Sequence, residues 1–78
     1  MKAIVLVVVE PNKLDNVCKA LSRLEETTKV YEITGEFDIF TEIEVDDVET
    51  FRHILKDKIM KINGVRMTQS SLVIGEWK

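Results

Sequence analysis

Residues 30–45 read VYEITGEFDIFTEIEV. Phe37, Ile39, Thr41, Ile43 and Val45 fall on one side of an extended chain, and Asp38, Phe40, Glu42 and Glu44 fall on the other. This period of two predicts a half-buried strand. A second extended run precedes it, from about Lys29 through Val30, Tyr31 and Ile33 to Gly35. Two such runs joined across a glycine turn predict an antiparallel hairpin.

Upstream of the hairpin, residues 1–10 read MKAIVLVVVE. A lysine before an apolar run has the look of a secretory leader, but Ala3–Val9 is at the short limit for one and no small-residue cleavage pattern follows. It also falls far short of the roughly 20 apolar residues that cross a bilayer. Its valines and isoleucine favour a buried strand, which Pro11 and Asn12 stop. The period then changes. Leu14, Val17, Cys18, Leu21 and Leu24 recur at helical steps, with Asn12 placed as N-cap and Asp15 near the exposed amides.

After the hairpin, Asp46 or Asp47 caps a second helix with Val48, Phe51, Leu55, Ile59 and Ile62 along its inner face. Gly64 closes that helix, and a last strand runs from Val65 to about Trp77. The order is βαββαβ, two βαβ-like halves that echo each other. It predicts one α+β domain over 1–78, a ferredoxin-like plait whose four-stranded antiparallel sheet carries two helices on one face.

That architecture gives the first strand a consequence. Ile4, Leu6 and Val8 point one way and Ala3, Val5, Val7 and Val9 the other, so both of its faces are apolar. Helices cover only one of them. The other is expected to meet a second copy in a twofold, sheet-to-sheet dimer, with Ala3, Val5, Val7 and Val9 taken as the dimer face.

Composition excludes several functions. With 14 acids, 11 bases and a net charge of −3, the chain lacks the clustered cations that neutralise nucleic-acid phosphates. The one cysteine and one histidine make neither an internal disulfide nor a zinc cluster, which suits a reducing cytoplasm. Cys18 lies on an apolar stripe and His53 off one, with nothing joining them as nucleophile and base. Asp46, Asp47 and Glu49 serve as helix-capping acids, without the ligand spacing of a calcium loop. No Gly-rich loop leads into a helix to hold phosphate, and the acidic strand FDIFTEIEV is unlike an RNA-stacking platform. No catalytic residue, metal or cofactor is assigned.

Two segments remain: TGEFD, residues 34–38, and MTQSS, residues 67–71. By pattern alone the first is a turn and the second a solvent-facing edge strand. Together, VYEITGEFDIFTEIEV, a capped helix and INGVRMTQSSLVIGEWK resemble the effector domain of the leucine-responsive regulatory protein/AsnC family, also called the RAM domain. The resemblance implies sheet-to-sheet dimers that associate into octamers or decamers, with an amino acid bound between dimers. Its ligand loop falls on Gly35, Glu36, Phe37 and Asp38, and its polar contacts fall on Thr68, Gln69, Ser70 and Ser71. Phe37 stands where the family often has tyrosine, which removes a hydroxyl. Family members usually carry a DNA-binding helix-turn-helix, absent from this sequence. A stand-alone effector acting by co-assembly with a DNA-binding relative is therefore implied. Two alternatives stay open: a small dimeric α+β barrel enzyme using His53, Tyr31 or Trp77, and a bare oligomerisation domain.

Overall fold

The computed structural model describes residues 1–78. Its elements are β1 (Lys2–Val9), α1 (Leu14–Ser22), β2 (Thr27–Glu32), β3 (Ile39–Glu44), α2 (Val48–His53) and β4 (Val65–Leu72). A π-helical stretch, Ile54–Ile59, continues α2. The strands form one antiparallel sheet in the order β2-β3-β1-β4, as the ferredoxin-like plait requires.

Register decides which side of the sheet is the inside. Ala3 pairs with Ile43, Val5 with Thr41 and Val7 with Ile39, and all six side chains are completely buried. They form one core with Val17 and Leu21 of α1, Phe51 of α2, and Ile54 and Ile59 beyond it. Both helices therefore pack on that side. This corrects the expected dimer face: Ala3, Val5 and Val7 are consumed by the chain's own core, and half-buried Val9 packs against it. The side left open carries Ile4, Leu6 and Val8, each only half-buried.

The second helix departs from its predicted stripe. Val48 is exposed, and the buried positions are Phe51, Ile54 and Ile59. A regular α-helix does not bring residues five apart onto one line, but a π turn does. Met60 N–H bonds the Leu55 carbonyl five residues back at 2.9 Å, and this widening keeps Ile54 and Ile59 on the core side.

Helix ends follow the capping rules in part. Asp47 accepts from the Thr50 N–H at 2.7 Å, and this bond holds its carboxyl below the usual carboxylate range. At α1 the capping position is Lys13, because Asn12 sits at φ 67 instead, a left-handed conformation that Asn tolerates. Gly64 also has a positive φ, +106, and lies close against α1: a Cβ there would be 2.6 Å from Lys13 Cβ and 3.0 Å from Val17 Cγ2. Its carbonyl accepts from Glu10 N–H at 2.8 Å, which ties the start of β4 to the end of β1. At the other end, β4 stops at Leu72 instead of running to Trp77, and Ile74 and Trp77 are bare.

Thr41 is the polar exception in the core. It is fully buried, and its hydroxyl has no hydrogen-bond partner. An unsatisfied buried hydroxyl costs about 1–3 kcal/mol. Thr41→Val, which keeps the shape and removes the hydroxyl, is expected to raise the stability by about 1 kcal/mol. Gly64→Ala adds both a clash and a strained φ and is expected to cost about 2 kcal/mol or more. Urea midpoints at constant slope measure both changes.

Candidate functional site

The hairpin end, residues 33–38, forms a rim at the end of the sheet where β1 finishes. Gly35 takes φ +110 as the turn needs, with open space around the position of a Cβ. Glu36 is exposed, while Phe37 and Asp38 are half-buried. Asp38 is tied into the frame through three groups. Its N–H donates to the Val7 carbonyl, its carbonyl accepts from Ile33 N–H, and its Oδ2 accepts from Val9 N–H, each at 2.9 Å. The β1–β3 ladder ends at Val7–Ile39, so the Asp38 carboxylate satisfies the amide just beyond the last backbone pair. Asp38, a member of the ligand loop that the resemblance implies, is thus also a structural acceptor, with Oδ1 left over.

The second predicted segment is divided by the pleat. Thr68 pairs with Val7 and Ser70 with Val5, on the helix side; Gln69 pairs with Leu6 and Ser71 with Ile4, on the open side. Thr68 is the member nearest Asp38 along the sheet: it pairs with Val7, whose carbonyl accepts from Asp38 N–H, and β1 lies between the two, so they are about 10 Å or more apart. Ser70 and Ser71 lie farther along, toward the opposite end of the sheet. None of the three clefts in the chain is lined by residues 35–38 or 68–71.

The same clefts include no His53, Tyr31 or Trp77. His53 Nδ1 instead pairs with Asp57 Oδ2 at 2.7 Å, one helical turn on, with both side chains well exposed. Burial pushes the Cys18 thiol up, away from reactive thiolate. No group of three or more His, Cys, Asp and Glu side chains is placed to hold a metal ion. No helix is long and apolar enough to cross a membrane.

The open apolar face of the sheet was expected, but its residues are not the ones assigned to it. Tyr31 pairs with Phe40, Phe40 with Leu6 and Leu6 with Gln69, so one row crosses all four strands. The two rings stack with centroids 5.7 Å apart. Val8 and Met67 adjoin the row on one side, and Ile4, flanked by Glu42 and Ser71, on the other. Tyr31 is 51% exposed and Met67 54%. Alternation had offered two apolar sets on β1. Only the parity of the β1–β3 register tells which of them is left outside, and that parity is not written in either strand alone.

The description "Lrp/AsnC ligand binding domain" fits the family model that matches residues 2–78. An HTH-type transcriptional regulator of Pyrococcus furiosus is 35% identical over 71 residues, covering 91% of this chain and 48% of its own length. Regulatory protein AsnC of Escherichia coli is 30% identical over 54 residues, 69% of this chain and 36% of that protein. The chain thus spans about half, or less, of the curated relatives it matches. Among solved structures, FFRP-DM1 superposes with a TM-score of 0.90 at 26% identity, covering 94% of this chain and 97% of that one. A regulator from Neisseria meningitidis, solved as an L-Met complex, gives a TM-score of 0.91 at 24% identity, covering 99% of this chain and 51% of that one, a likeness of fold. A family match over nearly every residue, on the fold its solved relatives share, shows that this chain belongs to the Lrp/AsnC family and that residues 2–78 correspond to its ligand-binding domain.

Proposed function

We propose that this chain is a non-enzymatic, amino-acid-responsive assembly module that modulates transcription in the cytoplasm. The observation that carries the reading is the apolar row Tyr31–Phe40–Leu6, open to solvent in a member of a family of regulatory ligand-binding domains. Buried apolar area contributes about 25 cal/mol per Å², and an open apolar row of this kind favours a partner. A second copy seated face to face is that partner, with Ile4, Leu6, Val8, Phe40 and Tyr31 in the contact. Dimers then join into octamers or decamers, alone or together with a DNA-binding relative.

The amino acid is placed at the rim where dimers meet. Glu36, exposed beside Gly35, and the free Oδ1 of Asp38 are acceptors for an ammonium. Turn amides and the Thr68 hydroxyl are donors for a carboxylate, with Phe37 beside them at the rim; Gln69, Ser70 and Ser71 lie farther along β4. No cleft within one chain includes these residues, and in this reading the second wall of the pocket comes from a neighbouring chain. Charge-assisted bonds contribute about 1.5–3 kcal/mol each. Two or three of them meet the roughly −4 to −8 kcal/mol of millimolar-to-micromolar sensing. A site shared between chains links occupancy to assembly, in both directions.

Calorimetric titration with the twenty amino acids, L-Met among the first because the Neisseria regulator holds it, should show heat with at least one and a changed sedimentation profile. No heat and no change would overturn the ligand reading. Asp38 separates its two roles by substitution. Asp38→Asn keeps an acceptor for Val9 N–H and is expected to unfold within about 0.5 kcal/mol of the parent, yet to bind ligand about tenfold more weakly. Asp38→Ala loses about 1–3 kcal/mol of stability as well. For the face, Leu6→Asp is expected to give folded monomers by circular dichroism and sedimentation; an unchanged assembly would refute the interface.

A further inference from the structure

Beyond Leu72 the chain leaves the sheet without leaving its surroundings. Val73 N–H still donates to the Lys2 carbonyl at 2.9 Å, which carries the β1–β4 ladder one step further. Lys2 Nζ then meets Glu76 Oε1 at 3.2 Å. Lys2 shares its side of β1 with Ile4, Leu6 and Val8, so this bond turns residues 73–78 toward the open face. Between this arm and the end of the sheet lies a cleft of about 320 Å³, walled by Met1, Lys2, Glu44, Ile74, Gly75 and Glu76. Ile74 and Trp77 touch almost nothing, with exposures of 101% and 99%. An isoleucine and the chain's one tryptophan are thus held at the margin of an apolar sheet face, both unpacked.

We propose that residues 73–78 form a clasp that closes on a second copy of this chain, burying Ile74 and Trp77 against it. The proposal rests on the open face being the dimer interface. Three observations select a second copy as the occupant. The first is area. Four strands about 4.8 Å apart and six to eight residues long present about 400–500 Å² in projection. A standard interface buries about 800 Å² of accessible surface from each partner, so a face of this size is of the right order for a second copy. A buried tryptophan adds about 150–250 Å² of accessible surface, and two arms related by a twofold axis enlarge the contact at both ends.

The second observation is charge. Lys2, Lys29, Glu42 and Glu44 share the open face, Lys29 opposite Glu42 and Lys2 opposite Glu44. Two cations and two anions match a copy of themselves better than a strongly acidic or basic partner. The third is continuity: the Lys2–Glu76 bond sets the arm beside the row that a partner sheet would cover.

Trp77 is its own reporter. In the intact chain of residues 1–78, its fluorescence should shift to the blue and lose iodide quenching over the concentrations at which sedimentation shows dimers forming, and revert on dilution. Trp77→Ala should raise the dimer dissociation constant at least about tenfold while leaving the circular dichroism of the monomer unchanged. Leu6→Asp, which breaks the face without touching the arm, should leave Trp77 quenched as free indole is. If Leu6→Asp dissociates the dimer but Trp77 stays solvent-quenched in the parent dimer, or if Trp77→Ala leaves the dissociation constant unchanged, the clasp is wrong and the interface stands. If Leu6→Asp leaves the dimer intact, or the parent chain is monomeric throughout, the interface reading fails and the clasp with it.

Discussion

The rest of the structure depends on the register between β1 and β3. Pairing Val5 with Thr41 aligns the two most uniformly aliphatic strand faces and gives both helices one surface to cover. A slip by one residue that turned β3 over would face Glu42 and Glu44 inward beside Ala3, Val5 and Val7, burying carboxylates without partners. The charged face of β3 forbids that slip, so Glu42 and Glu44 specify the core without belonging to it. The same pairing leaves an apolar row on the outside, the unavoidable second face of a strand that is apolar on both.

Much of this was legible in the chain. The alternation in residues 37–45, the helical spacing of Leu14, Val17 and Leu21, and the glycines at 35 and 64 each have one ready physical reading, and together they give the element order. Val48 misled because a stripe drawn with a period of 3.6 residues has no place for a π turn. The extra residue between Ile54 and Ile59 becomes visible only once the core chooses which isoleucines it buries. Choosing Ala3, Val5, Val7 and Val9 as the outer face failed for a similar reason, since the choice belongs to a pair of strands and one strand does not make it alone.

The candidate site was legible as two segments and illegible as a geometry. Thr68 to Ser71 read as one polar cluster along the chain, but the pleat sends alternate members to opposite sides. Asp38 read as part of a turn and of the implied ligand loop, and its bond to Val9 N–H depends on a strand 29 residues earlier. Local sequence carries residue types and periods. Which groups are already satisfied is a property of the assembled sheet.

The strand order also bears on how the domain comes together. Only β2 and β3 are neighbours both along the chain and in the sheet; the central strand β1 pairs with β3, and with β4 from Ala3–Leu72 to Val9–Val65. Contacts between such distant positions carry their loop-closure entropy before they return any stability. The β2–β3 hairpin, with the rim at its tip, is the pairing that forms without that cost. The element carrying the candidate ligand site is therefore also the natural early scaffold of the sheet, and β1, the central strand with an apolar outer face, can be locked in place only when both ends of the chain have arrived.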